Sequence, residues 1–121
     1  MCIRDSIQSV WAYNTEDLKR LKATGSCPRC DLSAATLDEL QLFRSNLSGA
    51  NLSGANLSRT NLIAADLSRA NLSGAILSGA NLSGADLSSA NLSTAELSAT
   101  ELTFVDLSGA CLLYTSDAAD E

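Results

Sequence analysis

The sequence predicts an all-β solenoid, and three observations predict it. From Leu32 a leucine recurs at every fifth position through Leu107, sixteen in all. Two residues before these leucines the position is mostly alanine, from Ala35 through Ala50, Ala55 and Ala65 to Ala95, with Cys30, Leu40, Ser45, Thr60, Thr100 and Val105 as departures. Apolar residues make up 45% of the 121-residue chain but aromatic ones only 4%, which suits a narrow interior of Leu and Ala better than a core built on large rings.

A period of five fits neither regular structure. On an α-helix a step of five turns each side chain about 140° from the last, so the leucines would spiral over every face. On a continuous strand an odd step alternates faces, and half of the leucines would point into water. Both conflicts vanish if the chain turns a corner in every pentad. Ala and Leu then share the inward face of a short extended segment, and the Ser-Gly-like residues that follow form the corner. Four corners close a square coil, and coils stacked at roughly 4.8 Å bring Leu32, Leu52, Leu72 and Leu92 into one core stack. Each buried leucine contributes on the order of 1.5–3 kcal/mol.

Taken in order, the chain begins with a segment that the sequence sets apart. Residues 111–116, Cys-Leu-Leu-Tyr-Thr-Ser, can be encoded as TGT CTC TTA TAC ACA TCT, whose reverse complement reads Met-Cys-Ile-Arg-Asp from its ATG, as residues 1–5 do. That DNA resembles a transposon-end adapter of sequencing libraries, so residues 1–6 and 111–121 are expected to be translated adapter, outside fold reasoning. On that expectation the chain is a fragment of a longer protein. Its formal charge is then seven basic against ten acidic groups over residues 7–110, −3 instead of −6, and its natural cysteines are Cys27 and Cys30.

Residues 7–29 form an N-terminal segment with a short helix over Asn14–Ala23. Asn14 or Thr15 can cap it, Glu16 and Asp17 suit its first turn, and Gly25 can end it. Leu18 and Leu21 lie three apart on one face. A stacked coil left open exposes its core and a row of unpaired backbone groups, so this helix is the expected lid on the first coil. The repeat runs over residues 30–110 with no matching lid at its far end, and self-association through that uncapped coil is expected.

The stretch Asn46-Leu47-Ser48-Gly49-Ala50-Asn51-Leu52-Ser53-Gly54-Ala55 resembles the pentapeptide-repeat family, whose pattern is A-[DN]-L-x-x. The lead-in Ser26-Cys27-Pro28-Arg29-Cys30-Asp31-Leu32 is similar to members, frequent in cyanobacteria, with a Cys-Pro-x-Cys motif before the first coil. The resemblance implies a right-handed quadrilateral β-helix, here of about four coils with the helical cap. It implies little about function: most members have no assigned activity, and a few mimic DNA and bind DNA gyrase.

Three features are candidate sites. Cys27 and Cys30 have the spacing of a redox or half-metal motif, but zinc needs about four ligands and the chain has no His and no second natural Cys pair. No metal or cofactor is therefore expected; packing as two thiols, a local disulfide bracing the lid, and a reactive pair remain open. Asp66, Asp86 and Asp106 are twenty apart and form an outward acidic column above Asn46, flanked by Glu96 and Glu101. Such a column imitates a phosphate row and recruits a basic DNA-binding protein, although Arg44, Arg59 and Arg69 share the surface. Phe43 and Ile63, one coil apart, form a small outward apolar patch, and Arg59 falls one coil above Glu39 as a surface pair. The repeated Asn-Leu-Ser triplets follow from the repeat itself.

Catalysis has no foothold, because without His a Ser or Cys nucleophile lacks its usual base. The expected function is a non-enzymatic scaffold or protein–protein interaction module with an unknown protein partner. The alternative is a DNA-mimic regulator of DNA gyrase or another topoisomerase, which would not itself bind nucleic acid. No membrane span is expected. The compartment is expected to be the cytoplasm or, if a signal peptide has been lost, the periplasm or thylakoid lumen.

Overall fold

A computed structural model describes residues 13–112. One helix, α1 (Thr15–Thr24), precedes the repeat. Asn14 caps it, its side-chain oxygen accepting the backbone N–H groups of Glu16 and Asp17 at 2.8 and 3.1 Å. Gly25 ends it in the left-handed conformation at φ 80°, donating its N–H to the Leu21 carbonyl at 2.7 Å. Such caps supply partners for groups that a helix terminus leaves unpaired, and contribute about 1 kcal/mol each. The apolar side of α1 faces the repeat: Leu21 is buried in the core, with Leu18 and Tyr13 packed beside it.

Every pentad then repeats one local geometry. The carbonyl of the central leucine accepts the N–H three residues on, as in Ala35 to Leu32 at 3.1 Å and Ala75 to Leu72 at 3.0 Å. The third residue of this turn has positive φ, from Arg29 at 60° to Gly109 at 71°. This is the pattern of a type II turn, whose third position favours glycine. Gly54 illustrates the point: nothing lies within 4 Å of the Cβ it lacks, so its φ of 66°, and not space, is what an added side chain would strain. Alanine at position 34 or 64 accepts the same geometry at some expense in backbone energy.

Between turns a single residue pairs with the chain twenty residues ahead. The parallel bridges join Asp31 to Asn51, Thr36 to Asn56, Gln41 to Asn61 and Asn46 to Asp66, and the series continues to Asn91 with Cys111. Each rung of twenty residues is tied to the next by bonds such as Leu52 N–H to Asn71 O at 2.7 Å and Asn71 N–H to Ala50 O at 2.9 Å.

The expectation of an all-β solenoid, and of a right-handed quadrilateral β-helix, is corrected here. The described residues contain one short helix and otherwise turns and isolated bridges; no β-strand and no sheet is formed among them. The reason is local. A strand needs consecutive residues in a ladder, but the hydrogen-bonded turn takes up the residues between one bridge and the next, so extended pairing never outlasts one position. A periodic sequence pattern reports which residues recur in one environment; it does not require that a ladder connect them.

The interior is filled by leucine and alanine. Leu32, Leu52, Leu72 and Leu92 are all buried, as are the leucines at 37, 47, 57, 62, 67, 77, 82 and 87. Burial fades at the last rung, where Leu97 and Leu107 are only partly covered and Leu102 is 37% exposed. Polar residues at inward positions mostly find carbonyls: Thr60 Oγ1 donates to Leu57 O, and Thr100 Oγ1 to Leu77 O at 2.8 Å. Ser45 Oγ is buried without a partner. Replacing Ser45 with alanine, the commonest residue at this position, removes that unpaired hydroxyl. Chemical denaturation should show the Ser45→Ala protein more stable by about 1 kcal/mol; an unchanged or lower midpoint would show that the hydroxyl is paired in solution.

Candidate functional site

Two places concentrate chemistry, one beneath α1 and one on the outer surface of the repeat. The first is the turn Cys27-Pro28-Arg29-Cys30. Pro28 takes the second turn position, where its fixed φ fits. Arg29 takes the third at φ 60°, and Cys30 N–H closes the turn on Cys27 O at 3.3 Å. The Cα atoms of Cys27 and Cys30 are 5.5 Å apart and a disulfide joins the two residues. Both are buried, Cys30 at the small inward position that alanine fills in later rungs.

α1 closes over this turn. Asp17 Oδ2 accepts the N–H of Asp31 at 2.9 Å, and Asn14 N–H reaches Asp31 O at 3.0 Å, so both ends of the first helical turn are tied to the first bridge residue. Arg20 Nη1 lies 4.0 Å from Asp17 Oδ1 and 3.8 Å from Cys30 Sγ. Cys27 Sγ lies 3.3 Å from the Asp17 carbonyl oxygen. A disulfide sulfur carries no hydrogen, so that approach is a contact and not a hydrogen bond while the bridge is intact. Sequence reasoning placed the helix here, read Asp17 only as an acidic residue suited to its first turn, and assigned no role to Arg20. An acidic residue in a first turn reads as a match to the helix dipole, and nothing in its spacing signals a bond to a backbone group fourteen residues away.

The second place is the column Asn46, Asp66, Asp86, Asp106, bridged residue to residue. Each carboxylate is engaged by its own turn. Oδ1 of Asp66 accepts Ser68 N–H at 3.0 Å and Ser68 Oγ–H at 2.6 Å; Asp86 and Ser88 pair in the same way at 2.9 and 2.6 Å. Asn46, Asn51, Asn81 and Asn91 accept the same pair of bonds from their serines. The [DN]-L-S spacing is thus an Asx turn, in which a side-chain oxygen accepts from a backbone group two residues on. The spacing carried that signal, which reading the column as surface charge alone passes over.

Asp106 Oδ1 accepts Ser108 Oγ–H at 2.6 Å and Ser108 N–H at 3.0 Å, and these bonds hold its carboxyl below the usual aspartate range against a smaller opposing effect of burial. A pKa lowered by folding adds stability above the unfolded-state value, and that stability is lost as pH falls through the folded value. In an NMR titration the Asp106 side-chain carboxyl should protonate at lower pH than an ordinary aspartate, and Ser108→Ala should move its midpoint upward. A midpoint unmoved by Ser108→Ala would dismiss the bond as the cause.

Elsewhere Arg59 Nη2 lies 3.3 Å from Glu39 Oε2, both largely in water, a pair worth at most about 1 kcal/mol. Phe43 and Ile63 are exposed, 56% and 37%. Among the described residues the most exposed ring is elsewhere, Phe104 on the last rung at 90%. No helix among the described residues is long and apolar enough to cross a membrane.

A filled interior, one repeated turn and side-chain variety confined to the outside define a tandem-repeat protein. The family model for pentapeptide repeats (8 copies) matches residues 26–62, 41–79 and 75–112, and the chain belongs to that family. Among solved structures, it is similar to the pentapeptide repeat protein Rfr23 from the cyanobacterium Cyanothece 51142, with 31% identity over 81% of this chain and 94% of that one, at a TM-score of 0.51. It is also 35% identical to alr5209 from Nostoc PCC 7120, over 77% and 78% of the two chains, TM-score 0.43. A third likeness is to HetL of the same organism, a pentapeptide repeat protein involved in heterocyst differentiation regulation, 33% identical over 73% of this chain and 60% of that one, TM-score 0.37. No curated protein matches the chain. The family is one of non-catalytic structural and regulatory proteins, and this chain, as a member of it, is not an enzyme.

Proposed function

We propose that the chain is an interaction module whose acidic end binds a basic surface of a protein partner. The observation that carries this reading is the uneven charge along the stack. Residues 13–69 hold seven basic and six acidic groups, a balance of +1, whereas residues 70–112 hold Asp86, Glu96, Glu101 and Asp106 and no Lys or Arg, a balance of −4. Glu96, Glu101 and Asp106 stand at successive bridge positions of the last rung, over Ile76, Asn81 and Asp86. They therefore form an acidic collar along the last rung. A one-signed collar steers and orients a partner of opposite charge.

The Asx turns supply a clean test. Asn accepts the same serine bonds as Asp in neighbouring pentads, so Asp66→Asn, Asp86→Asn and Asp106→Asn, with Glu96→Gln and Glu101→Gln, remove charge and keep the turn. Affinity capture with the wild type and this fivefold variant, at low and high salt, should return partners that only the wild type holds and that high salt releases. An identical set from both proteins overturns the reading.

The DNA-mimic alternative is a special case of the same collar, favoured by the bridged column Asp66, Asp86, Asp106. It expects the wild type, and not the fivefold variant, to inhibit DNA gyrase supercoiling; no inhibition at micromolar concentration counts against it. Self-association belongs to the same end, where Leu102, Phe104 and Leu112 are exposed. A strictly monomeric sedimentation profile at high concentration would remove it.

A further inference from the structure

The first turn of the repeat carries two sulfur atoms, and the helix above it brings a third donor. Cys27 Sγ, Cys30 Sγ and a carboxylate oxygen of Asp17 lie within 4.8 Å of one another. Counted along the sequence, Cys27 and Cys30 are half a metal site; α1, folding over the turn, adds the missing carboxylate. In the disulfide neither sulfur can ligate a cation, because the thiolate is the ligand.

Two contacts at this disulfide suit the reduced pair better than the oxidised one. The 3.3 Å approach of Cys27 Sγ to the Asp17 carbonyl becomes a hydrogen bond only when the sulfur carries a proton. The guanidinium of Arg20, 3.8 Å from Cys30 Sγ, attracts a thiolate more strongly than a disulfide sulfur. The surroundings of the pair therefore suit a dithiol.

We infer that Cys27, Cys30 and Asp17 form a redox-gated site for a thiophilic divalent cation of the zinc class, closed as the disulfide and open as the dithiol. Opening needs an external dithiol. One of its thiolates attacks a sulfur of the Cys27–Cys30 bond to give a mixed disulfide, and its second thiol then releases that sulfur. Two electrons and two protons pass to Cys27 and Cys30, and the reductant leaves as its own disulfide. Cation binding next releases the two thiol protons to solvent. Two thiolates and one carboxylate carry three negative charges, which a divalent cation and the Arg20 guanidinium together balance. That neutrality matters beneath a helix where both cysteines are buried. Two sulfurs and one oxygen fill three positions of a tetrahedral zinc sphere and leave the fourth to water.

The test titrates the anaerobically reduced full chain with Zn2+ against a chromogenic chelator, and with Co2+ as a spectroscopic probe. The expected result is an ion that only the reduced chain binds, with a tetrahedral thiolate spectrum for cobalt. The Cys27→Ser/Cys30→Ser double variant should lose this binding, and Asp17→Asn should weaken it about tenfold or more. Asp17→Cys, which supplies a softer donor, should bind zinc at least as tightly as the wild type. Circular dichroism on each variant reports whether α1 is kept. Equal binding by the double variant, or no binding by the reduced chain whether or not it stays folded, overturns the site. An Asp17→Asn protein that binds as tightly as the wild type, or an Asp17→Cys protein that binds more weakly, overturns the role of the helix donor.

Discussion

Replacing Leu72 with alanine should destabilise the protein by about 2–5 kcal/mol, a large part of the stability of a chain this size. Leu72 is fully buried, as Leu52 is and Leu92 nearly is, in a core of leucine and alanine. Its backbone bonds, N–H to Asn91 O at 2.7 Å and O to Ala75 N–H at 3.0 Å, do not involve the side chain, so the loss is one of packing alone. The same change at Leu102, 37% exposed on the last rung, should cost below about 1 kcal/mol. Urea denaturation of the two variants checks the pair. Equal losses would mean that the last rung is covered in solution.

The second large effect concerns the backbone. Asn71→Pro should cost about 3 kcal/mol or more, because it deletes the N–H that reaches Ala50 O at 2.9 Å at a bridge to the rung before. Ser73→Pro, two residues on, should stay within about 1 kcal/mol of the wild type. Ser73 holds the second position of its turn, the place Pro28 occupies in the first turn, and its N–H bonds only to Asn71 Oδ1, at 3.0 Å. Thermal unfolding of both variants separates them, and a Ser73→Pro protein as unstable as Asn71→Pro would reject the common turn geometry. The contrast separates a backbone N–H that bonds to the rung before from one that bonds only within its own turn.

Much of the architecture was legible because it is local. The phase of leucine and alanine identified the inward positions, and Asn14 and Gly25 marked the ends of α1 through side-chain and left-handed caps. The class was misread for a physical reason: a period reports recurrence of environment, whereas a strand requires consecutive paired residues, and the turn after each leucine leaves one bridge residue at a time. The candidate sites were legible in part. The twenty-residue spacing placed Asp66, Asp86 and Asp106 in one column, but the serine that binds each carboxylate was read as a corner residue. Asp17 was out of reach, since its bond to Asp31 N–H depends on how α1 lies across the first rung.

Sequence alone determined the pentapeptide phase: which positions face inward, where each turn falls, and where the helix starts and stops. These follow from steric and hydrogen-bonding preferences within a few residues. Tertiary structure decided what each repeated position experiences. Leu72 and Leu102 occupy the same place in their pentads, yet one is fully buried and the other 37% exposed. Burial depends on the rungs above and below, and a pentad contains neither. Tertiary structure likewise put Asp17 beside two cysteines that sequence had paired only with each other, because α1 packs its apolar side onto the first rung and carries its acidic first turn with it.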